Sequence, residues 1–218
     1  LDFLRGGKPA AFFHRILDIV ENYPPQVLRL LMNHIGTHDT ERAITLLAGE
    51  PSAGRGRDWQ AAQTLSPEQR ERGLKRMRLA SALQYTLPGV PCVYYGDEAG
   101  LEGYRDPFNR GCYPWGREDE GLLHWYRRLG QLRRACAALR EGGFRPLDSA
   151  PGALCYERRD GDSLLLCGVN AGEEDASLSL PEAWRDGTVS LGDGRIEGSV
   201  LRLPPLGCAL ATMETGKL

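Results

Sequence analysis

The apolar residues of this chain change their repeat once, close to Gly142-Gly143, and that change constrains the fold more than any other feature. Ahead of it, runs with apolar positions three and four apart alternate with short unbroken apolar stretches. Beyond it come brief alternating runs punctuated by Gly, Asp and Pro, the signature of antiparallel strands joined by tight turns. Two domains are expected, an α/β one over 1–142 and an all-β one over 143–218.

In the first domain, Phe12, Phe13, Ile16, Leu17 and Val20 share one face of a helix predicted from Pro9 to Asn22 and stopped by Tyr23-Pro24-Pro25. A short helix from Pro25 leads into Met32-Asn33-His34, and 49–60 reads as a loop. Ser66-Pro67-Glu68 predicts an N-cap with proline at the first helical position, opening a helix to about Leu87. Pro88-Gly89 ends it, 90–95 is β-prone, 100–117 is irregular, and a last helix is predicted over 120–140. This is the rhythm of parallel α/β units. In the second domain the predicted strands are 154–158, 163–170, 176–180, 188–191 and 200–211, the last in one or two pieces; they form a small β-sandwich.

Three segments carry groups capable of chemistry. Asn33-His34-Ile35-Gly36-Thr37-His38-Asp39-Thr40-Glu41-Arg42 sets an imidazole beside a carboxylate where an apolar run ends. In parallel α/β folds, ligands are met at the carboxyl ends of strands. Alternatively, Asp39 caps the next helix and His38 is a polar edge residue. The run 88–98 is a second strand ending in Asp97-Glu98; alternatively its tyrosines fill a wall and its acids cap helices or pair with arginines. Asp106-Pro107-Phe108-Asn109-Arg110-Gly111-Cys112-Tyr113-Pro114-Trp115 mixes a carboxylate, a guanidinium and aromatic rings. That mixture suits sugars, whose hydroxyls take charged hydrogen-bond partners and whose ring faces stack on aromatics. Alternatively, Asp106 and Arg110 form an internal ion pair.

Charge and composition exclude other classes. Lys and Arg number 27 against 29 Asp and Glu, so no positive field draws the chain to nucleic acid or to an anionic membrane. No apolar run approaches the roughly 20 residues of a membrane helix. Six cysteines (Cys92, Cys112, Cys136, Cys155, Cys167, Cys208) show no C-x-x-C pair or zinc spacing, and they read as reduced, mostly buried thiols of a cytoplasmic protein. The chain opens at Leu1 without an initiator Met, so it is expected to be the interior or end of a longer protein, whose targeting signals would not be visible here.

Taken together, Gly36-Thr37-His38-Asp39-Thr40-Glu41-Arg42, the 88–98 run, and Asp106-Pro107-Phe108-Asn109-Arg110 with Pro114-Trp115 resemble, in order and spacing, the C-terminal part of glycoside hydrolase family 13. This is the α-amylase superfamily, and the resemblance is strongest to its neopullulanase and cyclomaltodextrinase branch. It covers nearly the whole chain. It implies the last two strands of a (β/α)8 barrel with their helices, followed by an antiparallel β-sandwich, and a maltooligosaccharide or α-glucan substrate. By the same resemblance Asp39 is the third essential carboxylate, a transition-state stabiliser, and His38 bonds the same sugar. Asp106 and Arg110 would contact sugars further out. The family continues after Arg110 with a basic residue and then Pro or an apolar residue; Gly111-Cys112 departs from that pattern.

A retaining glycosidase also needs a nucleophile and an acid/base about 5–5.5 Å apart. The resemblance places both upstream of this chain, so the chain alone is expected to be inactive. Gly143-Phe144-Arg145-Pro146-Leu147-Asp148 is similar to the family's nucleophile motif, but it carries one residue too many and begins the sandwich. A whole barrel takes about 250 residues, which residues 1–142 cannot supply. Open barrel edges imply self-association or rearrangement. No cofactor is implied, and no cluster of oxygen ligands suits calcium or another metal. A non-catalytic sugar-binding or regulatory module is the alternative; it would need exposed aromatics in the sandwich, where only Tyr156 and Trp184 follow Phe144. A degenerate family relic is a further alternative.

Overall fold

The computed structural model describes residues 1–214; residues 215–218, the end of the second expected domain, lie outside the described residues. The first part contains α1 (Pro9–Asn22), α2 (Pro25–Leu28), β1 (Met32–His34), α3 (Ala43–Ala48), α4 (Arg57–Ala61), α5 (Pro67–Thr86), β2 (Val90–Cys92), α6 (Glu120–Ala135) and α7 (Ala137–Glu141). Short 3-10 turns add Asp2–Arg5 and Phe108–Arg110.

Local chemistry sets the longest helix. The Ser66 hydroxyl accepts from Gln69 N (3.2 Å) while the Gln69 side chain accepts from Ser66 N (2.9 Å), so two orphan amides at the start of α5 are satisfied reciprocally. The helix stops before Pro88-Gly89, where a glycine is required: φ is +108°, and a Cβ would lie 2.4 Å from Leu31 O. β1 and β2 then pair in parallel, with Asn33 opposite Pro91 and His34 opposite Cys92. Gln84 of α5 ties both strands down by donating to Asn33 O (3.0 Å) and Cys92 O (2.9 Å).

The second part forms two antiparallel sheets from β3 (Gly143–Ala150), β4 (Ala153–Asp160), β5 (Ser163–Asn170), β6 (Ala176–Ser179), β7 (Thr188–Gly192), β8 (Arg195–Glu197), β9 (Val200–Leu203) and β10 (Cys208–Glu214). Their orders are β3-β4-β5-β10-β7 and β6-β9-β8. Alternation along β4 and β5 divides the core. Leu154, Tyr156, Leu165 and Cys167 pack with Leu79, Leu83, Leu122 and Trp125 of the helices, whereas Ala153, Cys155, Leu164 and Leu166 pack against Leu178, Trp184 and Leu201 of the smaller sheet. The centre of the larger sheet, β4 and β5, is therefore buried on both faces.

Several elements depart from expectation. The helix predicted over 120–140 breaks at Cys136, whose backbone is extended (φ −101°, ψ 111°); Ala138 N is then caught by Ser163 Oγ at 3.2 Å, and Ala138 and Leu139 are buried in the core shared with the larger sheet. The 49–60 loop contains the start of α4. The β-prone 90–95 run is a strand only to Cys92, and 200–211 divides into β9 and β10. β3 and β8 were not anticipated. β3 carries Pro146 and a bulge between Pro146 and Asp148, features tolerated because it is an edge strand. α1 forms as expected, yet none of its residues is fully buried.

Candidate functional site

β1 and β2 run side by side in the same direction, so the segments that follow them leave from one rim. After β1 the chain makes a turn in which Thr40 N donates to Thr37 O (3.3 Å) and Asp39 N to Thr37 Oγ1 (3.3 Å). His38 Nε2 lies 3.2 Å from Asp39 Oδ1, and the two side chains are 66% and 73% exposed. Asp39 is not a helix cap, since the N-cap of α3 is Arg42. Both its oxygens and the imidazole can therefore meet a ligand from solvent.

The floor under this turn is buried and charged. Arg42 is enclosed, its guanidinium carbon 4.2 Å from the Tyr94 ring centroid and 4.6 Å from that of Tyr95. It donates to Tyr95 O, and its Nη1 lies 3.5 Å from Asp97 Oδ1. Desolvated cation–π contacts are worth about 2 kcal/mol each. A buried ion pair adds little net stability but is costly to break from one side. Asp97 in turn sits against the backbone of Gly36, where a Cβ would come within 2.6 Å of its Oδ2. Burial pushes the Asp97 carboxyl up to about 7, against the opposing pull of Arg42. The 88–98 run thus takes its alternative reading, a tyrosine wall with an acid paired to arginine.

After β2 the longer rim loop carries Asp106 and Arg110, joined at 3.0 Å with both side chains about half exposed. Exposed pairs of this kind contribute only about 0–1 kcal/mol, so either partner can be turned toward a ligand at small cost. The Tyr113 and Trp115 rings lie with centroids 4.5 Å apart and planes tilted by 50°, and Trp115 is 80% exposed. The two loops meet through Asn109, which is buried and donates from Nδ2 to His38 O (2.8 Å) and Thr40 O (2.7 Å). Tyr95 Oη also donates to Gly111 O at 2.9 Å. Asp39, His38, Asp106 and Arg110 accordingly stand on two adjoining loops of one rim. Asn109 had no sequence-derived role, and Arg42 was not named as the arginine partner of Asp97, because their partners are distant in the chain.

Elsewhere the structure assigns packing roles. Tyr156 and Trp184 are fully buried, with Tyr156 Oη 2.6 Å from Thr86 Oγ1 and Trp184 Nε1 donating to Glu157 Oε2 at 2.9 Å. Neither ring therefore offers a platform for a sugar. Asp148, in the segment similar to a nucleophile motif, accepts from Ser149 N (2.8 Å) and Ser179 N (2.7 Å) and joins the two sheets. Cys136, Cys155, Cys167 and Cys208 are buried, and burial pushes the Cys155 thiol up to about 12 and Cys167 up to about 11. Among the described residues, no group of three or more His, Cys, Asp or Glu is placed to hold a metal, and no helix is long and apolar enough to cross a membrane.

No family model matches the chain. Individual proteins do. An amylopullulanase from Thermoanaerobacter thermohydrosulfuricus is 32% identical over 225 residues, covering 93% of this chain and 14% of that protein. A cyclomaltodextrinase from Geobacillus thermopakistaniensis is 29% identical over 214 residues, covering 94% of this chain and 32% of its own. Among solved structures, a debranching enzyme from Nostoc punctiforme superposes with a TM-score of 0.74 at 23% identity, over 93% of this chain and 38% of that one. The chain thus spans less than two fifths of each of the three proteins. The likeness in fold identifies the β1–β2 pair and its helices as the last part of a (β/α)8 barrel, with the sandwich following it. By sequence and by fold the chain is a homologue of a stretch of the amylopullulanases, cyclomaltodextrinases and neopullulanases, enzymes of glycoside hydrolase family 13, the α-amylase superfamily.

Proposed function

We propose that this chain is the C-terminal portion of a cytoplasmic α-glucan hydrolase or transglycosylase that acts with retention on α-1,4 or α-1,6 links. In it Asp39 would bond the sugar hydroxyls at the point of cleavage and favour distortion of that ring toward the oxocarbenium-like transition state, with His38 on the same sugar. Asp106 and Arg110 would hold a sugar further along the chain, exchanging their mutual ion pair for hydroxyl partners. The observation that carries this reading is that two exposed pairs of polar, hydrogen-bonding side chains stand on adjoining loops at the carboxyl ends of parallel strands, in a chain aligned over 93% of its length with an amylopullulanase.

The nucleophile and the acid/base are assigned to the part of the parent protein that precedes this chain. Purified chain should therefore leave a nitrophenyl maltoside unhydrolysed, while maltotriose should shift the NMR signals of residues 37–40 and 106–110. The Asp39→Asn and Arg110→Ala chains should each lose most of that response. Hydrolysis that is abolished by Asp39→Asn in the isolated chain would refute the assignment of the missing carboxylates. We also propose that the chain self-associates, because β1 and β2 have unpaired outer edges and Leu30, Met32 and Val90 stand exposed beside them.

A further inference from the structure

We infer that Asn109 is a positioning residue: its side-chain amide fixes the main chain on both sides of Asp39 and locks the rim loop after β1 to the rim loop after β2. The two groups facing it are carbonyls, His38 O at 2.8 Å and Thr40 O at 2.7 Å, so the atom between them must be the amide nitrogen with its two hydrogens. Asn109 is fully buried, and its own Oδ1 has no partner. These two bonds are therefore what its side chain is held by, and they reach the residues immediately before and after the exposed carboxylate.

The rest of the turn lacks such an anchor. The bonds between Thr37 and Thr40 are 3.1–3.4 Å long and exposed to water, which competes for them. At its far end the turn is tied to the same loop through Arg42 N, which donates to Gly103 O at 2.9 Å, while Gly103 N donates to Thr45 Oγ1 at 2.9 Å. A Cβ on Gly103 would lie 2.2 Å from Phe108 O, so this loop passes closely over itself just ahead of Asn109. Asn109 thus sits where the two loops are in register, next in sequence to Arg110. Aspartate has the same shape without the donors. The consequence for sugar binding rests on the function proposed above: Asp39 would be presented to its sugar at a fixed distance from Arg110.

Hydrogen exchange on the 218-residue chain tests this without reliance on activity. In Asn109→Asp and Asn109→Ala, protection of the Asp39, Thr40 and Arg42 amides should fall by about tenfold or more at pH 7, while β4 and β5 keep theirs. A protonated carboxyl can donate one hydrogen, so protection should partly return in Asn109→Asp when the pH is lowered to 4 and stay lost in Asn109→Ala. Unchanged protection in both variants overturns the inference. So does a loss spread equally over β4 and β5 with no recovery on acidification. A maltotriose titration of the same samples separates the two claims: wild-type chain that shows no response counts against the proposed function, whereas the exchange pattern alone decides the clamp.

Discussion

Asp39 and Asp97 lie on the same rim in opposite environments, one in water and the other enclosed beneath it. The environment of Asp97 has a consequence for stability. Its folded value of about 7 lies above the ordinary 3.8, so between these limits the folded chain holds a proton that the unfolded chain has released. Its contribution is fully present below about pH 4 and is lost as the pH rises through 7. Urea denaturation of wild type and Asp97→Asn from pH 4 to 8 should therefore show the stability difference, wild type minus variant, falling steadily to about pH 7 and levelling off. A flat difference would mean that Asp97 is already ionised in the fold at pH 4. At this scale the sequence was legible where partners are close in the chain: His38-Asp39 and Asp106…Arg110 are adjacent or about one turn apart, and the structure pairs each as its neighbours suggest. Asn109 was not, because its carbonyl partners lie 69 and 71 residues away and nothing local distinguishes it from any loop asparagine. An arginine partner for the acids at 97–98 was readable; which arginine it is, and that the pair is enclosed, were not, because Arg42 is distant in the chain.

Among the elements, α5 and β4 are tied together by one buried side chain. Buried Arg158 on β4 donates from Nη1 to Thr86 O at the end of α5 (2.6 Å), from Nη2 to Gly142 O (2.6 Å) and from Nε to Gly143 O (3.1 Å). Burial draws its guanidinium down to about 10, which leaves it charged at neutral pH. A lysine ammonium cannot match that planar fork of donors. Arg158→Lys should lower stability by about 2–3 kcal/mol, read as an earlier urea midpoint with an unchanged slope. Periodicity and caps made α1 and α5 readable almost to the residue, because proline and serine signal their starts locally. β3 was unreadable because Pro146 argues against a strand, and only its place at the sheet edge makes it one. The break at Cys136 has a similar origin: the local pattern favours continuing the helix, and the demand that Ala138 and Leu139 reach the core beside β5 overrides it.

Over the whole molecule, two surfaces have different standing. The outer edges of β1 and β2, with Leu30 at 75% and Met32 at 64% exposure, are open. Light scattering of the purified chain should report species larger than a monomer, and the double change Leu30→Lys, Met32→Lys should shift them toward it; a concentration-independent monomer would remove the case for association. The face between the helices and the larger sheet is closed. Because the central strands of that sheet are covered on both sides, the two parts on either side of Gly142-Gly143 share one core and are expected to fold together. Cut there, each half would present an apolar surface that the other now shields, with Tyr156, Leu165 and Cys167 on one side and Leu79, Leu83 and Trp125 on the other. Calorimetry of the intact chain should accordingly show one melting event rather than two. The sandwich is thus no detachable accessory: the helices that carry the rim strands share their apolar core with it.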